Sequence, residues 1–180
     1  MPTPPRRIRD IDWEHWTPVD PATLLFVVRQ AEGRVLLIRK KRGLGAGKIN
    51  APGGRIEPGE TPLAAALREL HEEVGVTAVG ARPRGELSFV FVDGYSLHVH
   101  VFRADDCIGV ARETAEAIPM WTDVGEIPYA EMWEDDRLWL PSLLADRSFT
   151  GRFIFDGERM LDHVFEQHAA DSRELIATSE

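Results

Sequence analysis

The sequence predicts a mixed fold of the α+β or α/β sandwich class, on three observations. Runs rich in β-branched and apolar residues outnumber the helical patterns. Strands and helices follow one another without a regular βαβ alternation. The chain has 180 residues, 43% of them hydrophobic, which suits one compact domain with a real core. We place a domain at 21–168, between an arm at 1–20 and a tail at 169–180.

In chain order, MPTPPRRIRD is rich in proline and arginine and reads as a mobile arm, and Trp13 and Trp16 after it are placed to clasp the domain. TLLFVVRQAEGRVLLIRKK at 23–41 reads as two strands about a turn at Glu32 and Gly33. A glycine-rich loop, GLGAGKINAPGG, follows at 43–54, then a helix at 62–74. Strands near 86–92 and 97–103 flank the turn Asp93-Gly94. MWEDDRLWLPSLLAD at 132–146 reads as a second helix with Pro141 inside or at its edge. RFIFDGERMLDHVFE at 152–166 reads as a closing hairpin turning at Asp156-Gly157, with a frayed acidic tail after it.

Charge and cysteine usage narrow the function. A net charge of -9 disfavours nucleic-acid polymers and anionic membranes, which select basic faces. A phosphorylated small ligand is still compatible, because a metal ion can lie between an acidic site and an anion. The single cysteine, Cys107, rules out an internal disulfide or a thiolate cluster and fits a reducing compartment, so a cytoplasmic location is expected. A monomer is expected as well. LLFVV at 24–28, the longest apolar run that reads as buried, is too short for a membrane span.

The helix at 62–74 carries the chemistry. Thr61 suits the N-cap, Pro62 the first turn and Gly75 a left-handed C-cap. At about 100° per residue, Leu63, Leu67, Leu70 and Val74 form one apolar stripe, expected to face the core. Glu69, Glu72 and Glu73 fall on the opposite side at spacings that bring like charges together. Repulsion of a few tenths of a kcal/mol per pair is compatible with an ordinary solvated face. A hard cation such as Mg²⁺ would instead turn it into coordination.

From Gly54 the pattern is G, five residues, E, seven residues, R-E-L-H-E-E-V-G-V, which resembles the Nudix box at Gly54, Glu60, Arg68, Glu69, Leu70, Glu72, Glu73, Gly75 and Val76. The resemblance implies an α/β/α sandwich around a mixed sheet, and hydrolysis of a nucleoside diphosphate linked to another moiety. It also implies Mg²⁺, or Mn²⁺ in its place, on the glutamates of the box helix, with Gly53 beside them. Arg68 is placed to hold a carboxylate and Glu60 to orient that arginine. His71, at a variable position of the box, is given no chemistry. Within the basic run RKKRG at 39–43, Lys40 is the candidate phosphate partner.

KKRGLGAGKINAPGG, EAIPMW at 116–121 and IPYAEMWEDDRLWLPSLL at 127–144 narrow the resemblance to the MutT-homologue branch, which removes oxidised purine nucleoside triphosphates from the nucleotide pool. On that resemblance Asn50, Trp133, Asp135 and Asp136 read the base, Thr23 and Lys40 edge the pocket, and Glu116 reaches the metal from outside the box. Asp135 and Asp136 would share a proton, one accepting from a purine edge while the other donates. The sequence departs from the branch at Leu44, which replaces an aromatic residue, at Glu134, which replaces a proline, and at Ala51-Pro52 ahead of Gly53. The implied reaction is substitution at phosphorus by water, giving monophosphate and pyrophosphate. Two rivals are a hydrolase of ADP-ribose or a dinucleotide polyphosphate, and a nucleotide sensor without catalysis.

Overall fold

The structure is a computed structural model that describes residues 3–169. Its strands are β1 (Asp20–Arg29), β2 (Arg34–Lys40), β3 (Ile49–Asn50), β4 (Gly53–Arg55), β5 (Thr77–Val79), β6 (Arg82–Phe91), β7 (Ser96–Ala104), β8 (Asp106–Ile108), β9 (Ala117–Asp123), β10 (Phe149–Asp156) and β11 (Arg159–Gln167). Two helices, α1 (Pro62–Val74) and α2 (Asp136–Leu144), complete it.

β1 is the hub. It runs parallel to β7 along Asp20–Val27, pairs antiparallel with β4 through Ala22, Thr23 and Leu24, and passes its last two residues to β2. The sheet order is β11-β10-β6-β7-β1-β2-β3, with β9 on the free side of β2. Parallel β10–β6 and β7–β1 pairs among antiparallel ones make the sheet mixed.

Side-chain alternation along the strands sends residues to opposite faces and builds two cores. Phe26 and Val28 join Leu37, Val99, Phe149 and the α2 residues Trp139, Leu140 and Leu143 on one face. Leu25 and Val27 join Leu36, Ile38, Phe102 and the α1 residues Ala66, Leu70 and Val74 on the other. The result is the α/β/α sandwich that the resemblance implied. Among the described residues no helix is long and apolar enough to cross a membrane.

α1 caps as expected. The Thr61 hydroxyl accepts from the Ala64 N–H at 3.2 Å, and Gly75 adopts φ 77°, where a side chain would be strained. Its inner face is a correction. Leu63 is 38% exposed, while Ala65, Ala66 and Glu73 are buried with Leu70 and Val74. The helix is rolled from its apolar stripe so that small alanines admit close packing and Glu73 is brought against β4.

The N-terminal arm is a second correction. Composition suggested mobility, but Ile8–Asp10 form a short 3-10 turn whose Ile8 N–H donates to Asp162 at 2.8 Å. Trp13 lies under the Arg152 guanidinium at 4.7 Å and against Trp16, so the expected tryptophan clasp is present. α2 begins at Asp136, with Pro141 inside it, not at Met132. β5, β8 and β9 had no strand assigned to them in the sequence. Gln167, placed in the frayed tail, pairs with Phe149, and the rest of that expected tail at 170–180 lies outside the described residues.

Candidate active site

A continuous cleft of about 590 Å³ runs from the β4–α1 junction to the N-terminal end of α2, a size suited to a small-molecule ligand. Glu69, Glu73, Glu116, Gly53 and Gly54 line one end, and Asn50, Trp133, Asp135 and Asp136 the other. Thr23 and Lys40 also line it, so residues from distant parts of the sequence converge. Arg68 and Glu72 do not line the cleft.

At the carboxylate end, oxygens of Glu69, Glu73 and Glu116 lie within 4.8 Å of one another. Glu73 is 4% exposed and accepts the Gly53 N–H at 3.1 Å. Burial pushes its carboxyl up to about 8, against the Gly53 hydrogen bond and the charge of Lys40, with Glu69 and Glu116 adding to the rise. Glu69 is raised too, first by burial. Such a group of converging carboxylate oxygens fits a hard divalent cation. Both glycines are required by packing: a Cβ on Gly53 would stand 2.0 Å from the Thr23 carbonyl oxygen, and one on Gly54 2.4 Å from the Glu69 carboxylate.

Arg68 ties this end together. Its guanidinium donates to both oxygens of Glu60, at 2.8 and 2.9 Å, to Glu69 at 2.9 Å and to Glu72 at 3.1 Å. Those hydrogen bonds hold Glu60 down at about 2, so Glu60 orients Arg68 as expected. Glu72 is placed differently from the expectation. Its half-exposed side chain turns to Arg68 and stays out of the three-carboxylate cluster, because its position on α1 faces away from β4. His71, which was given no chemistry, is exposed.

In the basic run, Arg39 holds the Gly47 carbonyl and Glu131, Lys41 holds Glu113, and Arg42 pairs with Glu116. Lys40 lines the cleft close enough to stabilise the ionised Glu73.

At the other end Asp135 and Asp136 are each 2% exposed. Neither behaves as a helix cap. Asp135 Oδ2 accepts from the Trp139 indole at 2.7 Å, and Asp136 Oδ2 accepts the Trp133 N–H at 3.1 Å. Burial raises the Asp135 carboxyl to about 6, and burial followed by the neighbouring Asp135 charge raises Asp136 well above the usual carboxylate range. Burial and mutual repulsion thus both oppose full ionisation of the pair. Asp135 Oδ1 and the Thr23 hydroxyl are buried without a partner. Asn50 Oδ1 accepts the Ala51 N–H at 2.8 Å, which fixes the amide and leaves its NH₂ as the free donor.

The walls were not anticipated from sequence. Phe89, Phe91, Tyr95, Leu97 and Phe155 line this end with Trp133, whose ring stands perpendicular to Phe155 at 5.5 Å. Trp139 was also missed, although its position four residues after Asp135 on a helix was a usable signal. Gly45 packs so tightly on the Trp133 indole that a Cβ would come within 2.8 Å, which explains one glycine of the loop.

Comparison with known proteins follows this geometry. A model of the NUDIX domain matches residues 18–143. An oxidized purine nucleoside triphosphate hydrolase of Danio rerio is 45% identical over 148 residues, covering 79% of this chain and 94% of that one. The protein of the same description in Mus musculus is 42% identical over 137 residues, covering 76% and 86%. A crystal structure of a MutT protein from Bacillus halodurans matches with a TM-score of 0.73 at 26% identity, covering 82% of this chain and 98% of that one.

Proposed function

The chain belongs to the NUDIX family of hydrolases, and from that premise we propose that it hydrolyses oxidised purine nucleoside triphosphates, such as 8-oxo-dGTP and 2-hydroxy-dATP, to monophosphate and pyrophosphate, in sanitation of the nucleotide pool. The observation that carries the substrate class is the unpartnered Asp135 Oδ1 beside the buried Asp136, in an aromatic-walled pocket continuous with the carboxylate cluster. Buried polar atoms left unpaired cost about 1–3 kcal/mol each, so they mark where a ligand bonds.

Ionised Asp135 accepts from the N1–H and 2-amino group of an oxidised guanine, while Asp136 donates to O6. Asn50 presents its NH₂ to another edge and Trp133 covers a face of the base. Moving the proton to Asp135 reverses the pattern and admits 2-hydroxyadenine, so the pocket accepts more than one damaged purine.

Glu69, Glu73 and Glu116 would hold the divalent ion, for which Mg²⁺ is our choice and Mn²⁺ the substitute. When bound, that ion neutralises triphosphate charge and acidifies water. A carboxylate of the cluster takes the proton of the attacking water. Arg68 fixes Glu69, and Lys40 faces the phosphates. Water forms the new P–O bond as the phosphoanhydride bond breaks. Product analysis of 8-oxo-dGTP turnover tests the reaction: equal amounts of monophosphate and pyrophosphate are expected, and diphosphate with orthophosphate would refute it.

A further inference from the structure

We propose that Glu86, His98 and His100 form a second metal site, selective for a borderline transition ion such as Zn²⁺ and separate from the carboxylate centre. The three side chains share the α1-side face of β6 and β7, and none of them lines the catalytic cleft. Strand pairing sets their places. Glu86 is directly opposite His100, and Ser88 is opposite His98, so the cross-strand positions bring the side chains together without any loop.

The geometry is close to what a tetrahedral ion needs. His98 Nε2 is 2.6 Å from one oxygen of Glu86 and His100 Nδ1 is 2.9 Å from the other. All three donor atoms lie within 4.8 Å of one another. Zinc bonds of about 2.0–2.2 Å at tetrahedral angles separate ligand atoms by roughly 3.3–3.5 Å, which small side-chain rotations reach. The two imidazoles stand nearly perpendicular, at 83° with centroids 5.0 Å apart, so they approach one point from different directions.

A supporting bond orients one ligand. Ser88 Oγ lies 3.0 Å from His98 Nδ1 and, accepting the proton there, leaves the Nε2 lone pair free. With three protein ligands a fourth position is available to water, since the cluster is only half-buried. Imidazole donors distinguish this site from the all-oxygen centre: they favour zinc, cobalt, nickel or copper over magnesium. The arm is adjacent, with Trp16 edge-on to His98 at 6.4 Å and the Val19 N–H donating to Ser96, so an ion here would also fix the arm at the sheet.

The competing account is a set of surface ion pairs with no ion. Titrating the full chain with Co²⁺ in millimolar Mg²⁺ separates the two. One equivalent should give an intense visible band of low-coordinate cobalt, displaced by Zn²⁺ and retained in Glu73→Gln. His98→Asn, His100→Gln and Glu86→Gln should each weaken Co²⁺ binding at least tenfold while Mg²⁺-dependent hydrolysis is unchanged. The proposal is overturned if the three variants bind Co²⁺ as the parent does, or if Glu73→Gln abolishes the band.

Discussion

The two ends of the cleft solve one electrostatic problem by different chemistry. At the β4–α1 junction Glu69, Glu73 and Glu116 crowd their oxygens within 4.8 Å, and at the start of α2 Asp135 and Asp136 are buried side by side. Both ends raise carboxyl groups by burial, Glu73 to about 8 and Asp135 to about 6. The carboxylate end keeps polar surroundings, Lys40 and the Arg68 network, and in the proposed function would be completed by a cation. The aspartate end is walled by aromatics and in the same proposal would be completed by sharing a proton and accepting hydrogen bonds. On that reading, excess negative charge prepares one end for metal and the other for a neutral base.

The largest expected effect breaks the first end alone. Glu73→Gln should lower kcat by about a hundredfold or more, as loss of a central electrostatic group typically does, with KM for nucleotide little changed. Glu72→Gln should cost at most about tenfold, because its side chain lies on Arg68 outside the cluster. Steady-state kinetics at saturating Mg²⁺ decides, and equal losses in both would mean that Glu72 swings into the centre.

Next comes the aspartate end. Asp135→Asn and Asp136→Asn should each raise KM for 8-oxo-dGTP about ten- to a hundredfold, the ~1.5–3 kcal/mol of a charged hydrogen bond. The Mg²⁺ concentration giving half-maximal rate should stay at the parent value. A shift in that value would show that the two ends are not independent.

Gly54→Ala refines the first end without replacing a proposed ligand. Its methyl group would fall 2.4 Å from the Glu69 carboxylate that Arg68 pins, so half-saturation by Mg²⁺ should rise several-fold while the preference among purines stays fixed.

The smallest effect is on stability. Asp135 ionises near 4 when unfolded but at about 6 when folded, so within that window the folded chain binds the extra proton. Its contribution to stability therefore falls as pH rises from about 4 to about 6. Asp135→Asn removes that loss, and the Tm difference, variant minus parent, should grow by a few degrees between pH 4 and pH 7. A constant difference would mean that Asp135 titrates normally.

The two ends were unequally legible in the sequence. Glu69 and Glu73 share one helix, where 3.6-residue periodicity fixes their direction, and Thr61, Pro62 and Gly75 mark that helix's ends. Even so, periodicity gave the wrong roll. Leu63 was expected inside and Glu73 outside, because the stripe takes no account of Gly53 and Gly54, whose missing side chains let a carboxylate pack against β4. At the aspartate end Asn50, Trp133, Asp135 and Asp136 were legible only through the family pattern. Phe89, Phe91 and Phe155 read as ordinary strand residues, and only the pairing of β6 with β7 and β10 makes them a wall. The arm's first ten residues were misread as mobile because Ile8 finds its partner, Asp162, across nearly the whole chain.

The most direct test of the central claim measures kcat/KM for 8-oxo-dGTP, 2-hydroxy-dATP, dGTP and ADP-ribose with Mg²⁺, in the parent and in Asp135→Asn. The parent should prefer both oxidised purines over dGTP by at least about tenfold, within the reach of one or two differential hydrogen bonds, and Asp135→Asn should collapse that ratio. A parent that favours ADP-ribose, or a ratio that Asp135→Asn leaves unchanged, would contradict it.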